Sequence, residues 1–296
     1  MWNKSQDMIV QKPIIAATGL DGLVGSRIRE VLQEKYDFVN LKEGVIDITS
    51  AESVQKCVHE TQFDVFLHLA AFTNVDSAES ERETAWKVNV DGTRNVFDAV
   101  RTKGAKGKKS AKFIYISTGF VFDGLSGPYY EDSIPHPVCY YGETKLEGEK
   151  IVGLDGMIVR IDYPYGGHVG YKKDIVENLI DNLREKKPLS GVVDQILTPT
   201  YIDDIANALD YLIEHYSPEI YHIVGADNLS GMDVINTIGR VFDLDTSYVQ
   251  EITFDEFNKG KAIRPKQSIM KSRKNDFYVM SAFEQGLEKL KSRLTT

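Results

Sequence analysis

The feature that most constrains this 296-residue chain is a glycine-rich turn, Thr18-Gly19-Leu20-Asp21-Gly22-Leu23-Val24-Gly25. It follows a short apolar run at Pro13–Ala17 and precedes an amphipathic pattern over Leu23–Lys35. Glycines at such a turn let the backbone approach a pyrophosphate, and the helix that follows offers free N–H groups and its positive dipole end to the same anion. The same glycines would suit a tight turn without a ligand, but the strand before them and the helix after them favour a dinucleotide. The residues expected to contact it are Gly19, Gly22, Leu23, Val24 and Gly25.

Short apolar runs alternate with helical patterns through the first half of the chain. The run Phe63–Ala70 is apolar on both faces, as a strand buried inside a parallel sheet must be. The whole pattern predicts an α/β fold of the Rossmann type, a doubly wound parallel sheet with a smaller, discontinuous C-terminal α+β substrate lobe. The predicted nucleotide-binding domain covers residues 1–160 plus about 190–225, and the lobe covers about 161–189 plus 226–296. Further predicted strands are Asp37–Leu41 and Lys112–Ser117, and predicted helices are Ser50–Thr61, Ser77–Arg101, Lys173–Lys186, Asp203–His215, Gly231–Phe242 and Ala282–Arg293.

The composition argues against several other classes of protein. Lys plus Arg number 35 and Asp plus Glu number 44, and this net charge of -9 disfavours nucleic acid as a partner. Two cysteines, Cys57 and Cys139, can form neither a disulfide scaffold nor a CxxC metal site, and the histidines lack metal-ligand spacing. No stretch approaches the roughly 20 apolar residues of a membrane span. We therefore expect a cytoplasmic protein without a metal site or a membrane partner.

The segment after the second predicted strand bears on the choice of dinucleotide. Lys42 would suit a 2′-phosphate, whereas Glu43 would suit a 2′-hydroxyl. Asp47 and Ile48 could flank the adenine, although Asp47 could equally cap the helix that begins near Ser50. The sequence leaves NADP(H) and NAD(H) both open and slightly favours NADP(H).

A tyrosine and a lysine four residues apart, Tyr141 and Lys145, are the candidate catalytic pair. On a helix they share a face, where an ammonium favours the phenolate and brings a tyrosine toward useful acidity. An exposed cation–π pair or a packing tyrosine would show the same spacing. Thr118, at the end of the preceding predicted strand, could bond the substrate oxygen that Tyr141 protonates.

These residues together resemble the extended short-chain dehydrogenases/reductases, and more narrowly the dTDP-4-dehydrorhamnose reductases. The pattern TGxxGxxG stands at 18–25 and YxxxK at 141–145. The other matching phrases are AAFTNVDSAE at 70–79, VNVDGT at 88–93, STGFVFDG at 117–124, YGETKLEGE at 141–149, Asp194-Gln195 with Pro199-Thr200, and Arg264-Pro265 followed by Ser268.

The resemblance implies reduction of the C4 ketone of a nucleotide-linked 4-keto-6-deoxy sugar. Tyr141 would be the general acid, Lys145 would lower its pKa and hold the nicotinamide ribose, and Thr118 would orient the C4 oxygen. The further cofactor contacts implied are Ala70, Ala71, Thr73 and Asn89. The substrate contacts implied are Asn74, Val75, Thr118, Phe120, Tyr163, Gln195 and Arg264, with Tyr163 standing where the family often has Trp. Homodimers are common in this family, so a homodimer is one expected state.

Three departures from the family's phrases concern the sugar. Gly119 and Phe120 replace the acid and tyrosine of S-T-D-Y-V-F-D-G, and Leu197 replaces a glycine. Because a site that hydrogen-bonds a hydroxyl discriminates strongly, the natural sugar need not be the rhamnose precursor. Two alternatives therefore stay open. The chain also resembles the non-catalytic, NADP-binding β subunit of methionine adenosyltransferase, and the same fold serves nucleotide-sugar epimerases and dehydratases.

Overall fold

A six-stranded parallel sheet organises the computed structural model, which describes residues 11–104, 111–169 and 172–294. Its strands stand in the order β6-β5-β4-β3-β1-β2, so the chain reverses direction across the sheet between β1 and β3. This arrangement confirms the predicted Rossmann-type fold, in which ligands bind at such a reversal, beyond the carboxyl ends of the strands. The strands are β1 Ile14–Thr18, β2 Asp37–Asn40, β3 Val65–His68, β4 Lys112–Thr118, β5 Met157–Ile161 and β6 Ile220–His222.

Helices cover both faces of this sheet, as the continuous apolar runs require. One apolar cluster joins the sheet to α1 and α5, through residues such as Ile28 and Leu209. A second cluster joins the other face to α2 and α3, through residues such as Val54 and Phe97. The helices are α1 Leu23–Leu32, α2 Ala51–Glu60, α3 Gly92–Gly104, α4 Tyr140–Val152 and α5 Ile202–Glu214.

The single long helix predicted over Ser77–Arg101 is wrong. Glu81 leaves the helical region with φ -109° and ψ 43°, which separates two short helices. A π-helical turn then precedes α3 and turns Asn89 inward, where it is 1% exposed. Hydrophobic spacing cannot reveal such a break, because all four pieces keep a helical period. The pieces before α3 are Val75–Ser80, Arg82–Trp86 and the π turn Lys87–Asp91.

Three helices and several short strands of the remaining chain pack around a separate apolar cluster that includes Val176, Ile235 and Leu287. From them, the segment 262–271 returns to the carboxyl edge of the sheet, where Gln267 N donates to Gly124 O and Lys271 N donates to Tyr129 O. The domain boundaries stay a prediction. The helices of this region are Ile175–Arg184, Gly231–Phe242, Phe254–Asn258 and Phe283–Leu294. Its strands are Pro164–Tyr165, His168–Val169, Lys172–Lys173, Ser190–Val192, Ile196–Leu197, Thr200–Tyr201, Leu229–Ser230 and Gln250–Ile252.

Candidate active site

The glycine turn lies at the point where the strand order reverses. Gly19 has φ +73°, and a Cβ there would lie 2.6 Å from the backbone nitrogen of Ala70, so only glycine allows the turn to touch the chain that leaves β3. Gly22 is the N-cap of α1 and gives it no side-chain cap, which leaves the helix N-terminus at Leu23 and Val24 to the backbone alone. An anion fits such a terminus, so these residues suit the pyrophosphate of a dinucleotide. Gly25 is buried within α1.

The end of β2 carries Asn40 rather than an acid. Its Nδ2 donates to Asp21 Oδ1 at 2.8 Å, which ties β2 to the glycine turn, and its own Oδ1 is buried with no hydrogen-bond partner in the described part of the chain. Lys42 follows and is exposed. A neutral amide and a nearby cation are compatible with a phosphate on the ribose, as a carboxylate at the same place would not be.

Asp47 does not cap the next helix, which corrects one of the two expectations for it. Its Oδ1 accepts hydrogen bonds from the backbone nitrogen and the hydroxyl of Thr49, at 2.9 and 2.8 Å. The N-cap of α2 is Ser50, whose hydroxyl accepts from Ser53 N. Ile48 packs against Gly92 at the start of α3. Contact of Asp47 or Ile48 with adenine stays a prediction.

Asn89 joins the loop after β3 to the helix that carries the catalytic pair. Its Oδ1 accepts from Phe72 N at 2.7 Å, and its Nδ2 donates to Phe72 O and to Thr144 Oγ1. The amide is therefore engaged with the protein and positions the loop after β3, and contact of Asn89 with a cofactor stays a prediction. The predicted contacts along the loop are Ala70 and Ala71, which are half-buried, and Thr73, which is exposed.

Thr118 and Tyr141 meet at the carboxyl edge of the sheet. Thr118 ends β4 and Tyr141 lies in the first turn of α4, and they are 8% and 9% exposed. Burial raises the pKa of Tyr141, while the nearby Thr118 hydroxyl lowers it. The phenol therefore keeps its proton at neutral pH and lies near the hydroxyl that was expected to share its substrate oxygen.

Lys145 lies one turn further along α4 and is 3% exposed. Its Nζ donates to Ile116 O at 2.8 Å and lies 4.0 Å from the centre of the Tyr115 ring. Burial lowers the pKa of Lys145 to about 7, and the charge of Glu149 opposes that shift. Its predicted lowering of the Tyr141 pKa, and its contact with a ribose, stay predictions.

A buried ion pair holds α4 against β4 and β5, and sequence reasoning missed it. Glu149 accepts two hydrogen bonds from Arg160, to Oε1 at 2.9 Å and to Oε2 at 2.6 Å. Ser117 also donates to Glu149 Oε1, and Arg160 contacts His222 Nε2. The acid in the phrase YGETKLEGE could have suggested this role, because it stands one helical turn after Lys145.

The phrase AAFTNVDSAE also serves α4. Glu79 Oε1 accepts from Tyr140 N at 2.8 Å, so it caps the first turn of α4, whose own N-cap makes no side-chain bond. Asn74 is exposed and caps the helix Val75–Ser80 through Ser77 N. The structure thus gives Asn74 a local structural role, and its contact with a sugar stays a prediction.

An aromatic wall lies beside the catalytic tyrosine. The Phe120 ring meets Tyr141 edge-on at 5.7 Å between centroids and lies 6.0 Å from Tyr163, and Val75 packs against the same cluster. Tyr163 has φ +39°, a conformation that a bulky residue adopts only where its surroundings enforce it. The predicted substrate residues Val75, Phe120 and Tyr163 are therefore brought together with Tyr141.

Arg264 joins the segment 262–271 to the helix Val75–Ser80, and Gln195 supports the same segment. Arg264 Nη2 lies 2.8 Å from Asp76 Oδ2, and its Nη1 donates to Ala262 O. Gln195 is buried and donates to Pro265 O at 3.2 Å. Gln195 therefore supports the backbone next to Arg264, and direct contact of either residue with substrate stays a prediction.

His68 is a satisfied core residue on β3. It is fully buried, with Nδ1 2.6 Å from Thr18 Oγ1 and Nε2 3.1 Å from Thr93 Oγ1. Thr93 donates its own proton to Asn89 O, so Nε2 carries the hydrogen and Nδ1 accepts from Thr18. Burial lowers the pKa of His68 to about 3, which keeps the ring neutral.

Two searches of the described residues were negative. Within residues 11–104, 111–169 and 172–294, no group of three or more His, Cys, Asp or Glu side chains is arranged to hold a metal ion. Over the same ranges, no helix has the length and apolar character needed to cross a bilayer.

Comparison with known proteins agrees with this geometry. Spore coat polysaccharide biosynthesis protein SpsK of Bacillus subtilis is 31% identical over 264 residues, which cover 88% of this chain and 89% of that one. The dTDP-4-dehydrorhamnose reductase of Aggregatibacter actinomycetemcomitans is 31% identical over 73% of this chain and 74% of its own. The crystal structure of dTDP-4-dehydrorhamnose reductase from Bacillus anthracis in complex with NADP has a TM-score of 0.87 and 33% identity, and the match covers 96% of this chain and 100% of that one.

A regulatory protein is also among the relatives. Methionine adenosyltransferase 2 subunit beta of Rattus norvegicus is 28% identical over 81% of this chain and 75% of its own. The family model described as RmlD substrate binding domain matches residues 14–295. The chain therefore belongs to the RmlD family of extended short-chain dehydrogenases/reductases.

Proposed function

We propose that the protein reduces the C4 ketone of a nucleotide-linked 4-keto-6-deoxy sugar with NADPH. The observation that carries the proposal is the placement of Thr118 near Tyr141, both buried at the carboxyl edge of the sheet and one turn from Lys145. These groups stand at the same edge of the sheet as the glycine turn, so a dinucleotide and a reacting carbonyl can share one cleft. The names of the reductase relatives point to the same reaction.

The residues divide the chemistry among them. NADPH, when bound, would supply a hydride for the carbonyl carbon. Tyr141 donates its phenolic proton to the carbonyl oxygen, which balances the reduction to an alcohol, and its raised pKa means that the proton is present at neutral pH. Thr118 holds the same oxygen by a hydrogen bond. Lys145 stabilises the phenolate that remains and holds the ribose through its ammonium.

NADP(H) is the cofactor we propose over NAD(H). A family relative has been crystallised with NADP. In this chain, β2 ends on the neutral Asn40 and is followed by the exposed Lys42. A 2′-phosphate would gain a cation there and would meet no acid at the strand end.

A regulatory NADP-binding role without turnover is the second candidate. It is favoured by the replacement of two polar residues with Gly119 and Phe120, and by the similarity to the methionine adenosyltransferase subunit. Such a protein would bind cofactor and a protein partner while leaving keto sugars unreduced.

We propose a nucleotide sugar as the small-molecule partner, a homodimer as the working assembly and the cytoplasm as the compartment. Cys57 and Cys139 are both free thiols, which suits a reducing environment. Burial raises the pKa of Cys139 to about 11, so this thiol beside the catalytic helix is unreactive.

The decisive experiment follows NADPH consumption with dTDP-4-keto-6-deoxy-L-mannose. We expect wild type to turn over and Tyr141→Phe to lose about 10²- to 10⁴-fold in kcat, because a general acid contributes that much. The phenylalanine ring keeps the packing on Phe120, so NADPH affinity should not change. Tyr140→Phe is the matched control, since it keeps the ring that lies under Arg82 and removes only a hydroxyl to which the reaction gives no role. Wild type that binds NADPH but reduces no 4-keto sugar would contradict the reductase and favour the regulatory role.

A further inference from the structure

Asp162 is a buried acid to which the reaction above gives no role. It follows β5 directly and is 1% exposed. Its Oδ2 accepts a hydrogen bond of 2.9 Å from Ser268, while its Oδ1 is buried with no hydrogen-bond partner among the described residues. Buried polar atoms are almost always paired, so an unpaired carboxyl oxygen beside reacting groups indicates a missing hydrogen-bond donor.

This carboxyl occupies the space in which a side chain at position 119 would begin. Thr118 pairs with Ile161 in the sheet, so the next residues, Gly119 and Asp162, leave the sheet side by side. A Cβ on Gly119 would lie 2.6 Å from Asp162 Oδ1 and 2.5 Å from Met270 Sδ, closer than real Cβ atoms come. A side chain at 119 and the present position of the Asp162 carboxyl therefore exclude each other.

A carboxyl group is still present at this edge of the site, although it comes from a different residue. The phrase S-T-D-Y-V-F-D-G, which this chain resembles, has an acid where Gly119 stands. Here the acid is missing from the end of β4, and a carboxyl reaches the same space from the end of β5.

Asp162 also lies within the electrostatic range of the reacting residues. After burial, its charge contributes to raising the pKa of both Tyr141 and Tyr163, and Arg264 is a cation that opposes the shift at Tyr163. Burial raises the pKa of Asp162 itself to about 8, and the Ser268 hydroxyl and the backbone of Thr198 oppose that shift. Near neutral pH the carboxyl therefore exists in both forms and is able to accept or donate a hydrogen bond.

We propose that Asp162 is a substrate-binding residue whose unpaired oxygen holds a hydroxyl group of the nucleotide-linked sugar, in place of the acid that Gly119 lacks. The inference rests on the proposed function, because it takes the sugar as the ligand. It assigns the sugar contact to a position outside the family's phrase.

The test compares three variants with wild type. Asp162→Ala removes the contact, and Gly119→Asp/Asp162→Gly returns the carboxyl to β4. Ser268→Ala removes only the partner of Oδ2 and is the structural control. The measurements are KM and kcat for the keto sugar, calorimetric Kd for dTDP-L-rhamnose and for NADPH, and Tm.

We expect Asp162→Ala to raise KM and the Kd for dTDP-L-rhamnose by about tenfold or more, since 1.4 kcal/mol of lost hydrogen bonding is tenfold in affinity. NADPH affinity should stay at the wild-type value. The double variant should regain most of the lost affinity, and Ser268→Ala should lower Tm while changing the sugar Kd by less than about threefold. Should Asp162→Ala not fold, the double variant carries the test, because it refills the space.

Three results would overturn the proposal. If Asp162→Ala binds dTDP-L-rhamnose as tightly as wild type and still turns over, Asp162 does not hold the sugar, and the proposed reductase function stands. Equal loss of NADPH and sugar affinity in Asp162→Ala, without recovery in the double variant, makes the residue structural. Wild type that binds NADPH but no nucleotide sugar removes the proposed function and this inference together.

Discussion

The cofactor end and the sugar end of the candidate site are built in different ways. At the cofactor end the proposed recognising groups are backbone atoms of Gly19, Gly22 and the first turn of α1, which form one continuous stretch of sequence. At the sugar end the proposed recognising group is the side chain of Asp162, which lies between Gly119 and Ser268, and these three residues come from separate segments that meet only in the fold. Backbone recognition must keep its glycines, whereas side-chain recognition can move a functional group from one strand to the next.

The two ends also differ in the kind of atom that crowds their glycines. The space beside Gly19 is filled by the backbone nitrogen of Ala70, and a backbone atom cannot move aside by a change of rotamer. The space beside Gly119 is closed by side-chain atoms of Asp162 and Met270, which later substitutions can change. We therefore expect the cofactor end to tolerate less variation than the sugar end.

The comparison assumes a rigid frame of α4, β4 and β5 that holds both ends of the site. The buried Glu149–Arg160 pair joins these elements, so removing one of its members tests that assumption. Removing one member of a buried ion pair leaves an uncompensated charge, so Glu149→Ala should lower the free energy of unfolding by about 3–5 kcal/mol. Glu147→Ala on the same helix removes only an exposed pair with Lys150 and should change it by less than about 1 kcal/mol. Urea denaturation measures both. Similar losses in the two variants would show that the pair does not hold the frame.

Two glycine-to-alanine substitutions test whether the cofactor end depends on the glycine turn. Gly19→Ala should raise the Kd for NADPH by about tenfold or more and lower stability by about 1–3 kcal/mol, because it adds a positive-φ penalty to a backbone collision. Gly44→Ala is the matched control, since Gly44 has φ +87° but open space around its Cβ position. It should show the conformational penalty and leave NADPH affinity unchanged. Equal NADPH affinity in Gly19→Ala and wild type would remove the glycine turn from the cofactor site.

The sequence predicts the local features of the site but not the features that depend on contacts between distant segments. The strand, turn and helix around Gly19 are local, so period and spacing suffice to predict them. The Tyr141–Lys145 spacing likewise places two side chains on one face of α4. The break at Glu81, the left-handed backbone of Tyr163 and the meeting of Gly119 with Asp162 depend on contacts between distant segments. No single-sequence pattern contains that information.

The last expected effect is a pH dependence of stability that belongs to the sugar end alone. The pKa of Asp162 is raised from its ordinary value near 4 to about 8 in the folded protein, so between these values the folded state holds a proton that the unfolded chain has lost. Its contribution to the free energy of unfolding therefore falls as pH rises from about 4 to about 8. Asp162→Asn lacks this titration, so the stability of wild type minus that of the variant should decline across that window and level off above it.

Thermal denaturation at a series of pH values measures this difference in stability between wild type and Asp162→Asn. The depressed pKa values of His68 and Lys145 make stability rise with pH, but they are common to both proteins and cancel in the subtraction. Ser268→Ala removes the hydrogen bond that lowers the Asp162 pKa and should extend the decline to higher pH. A difference that is flat between pH 4 and 8 would mean that Asp162 is ionised throughout. Its unpaired oxygen would then meet the sugar only as a hydrogen-bond acceptor.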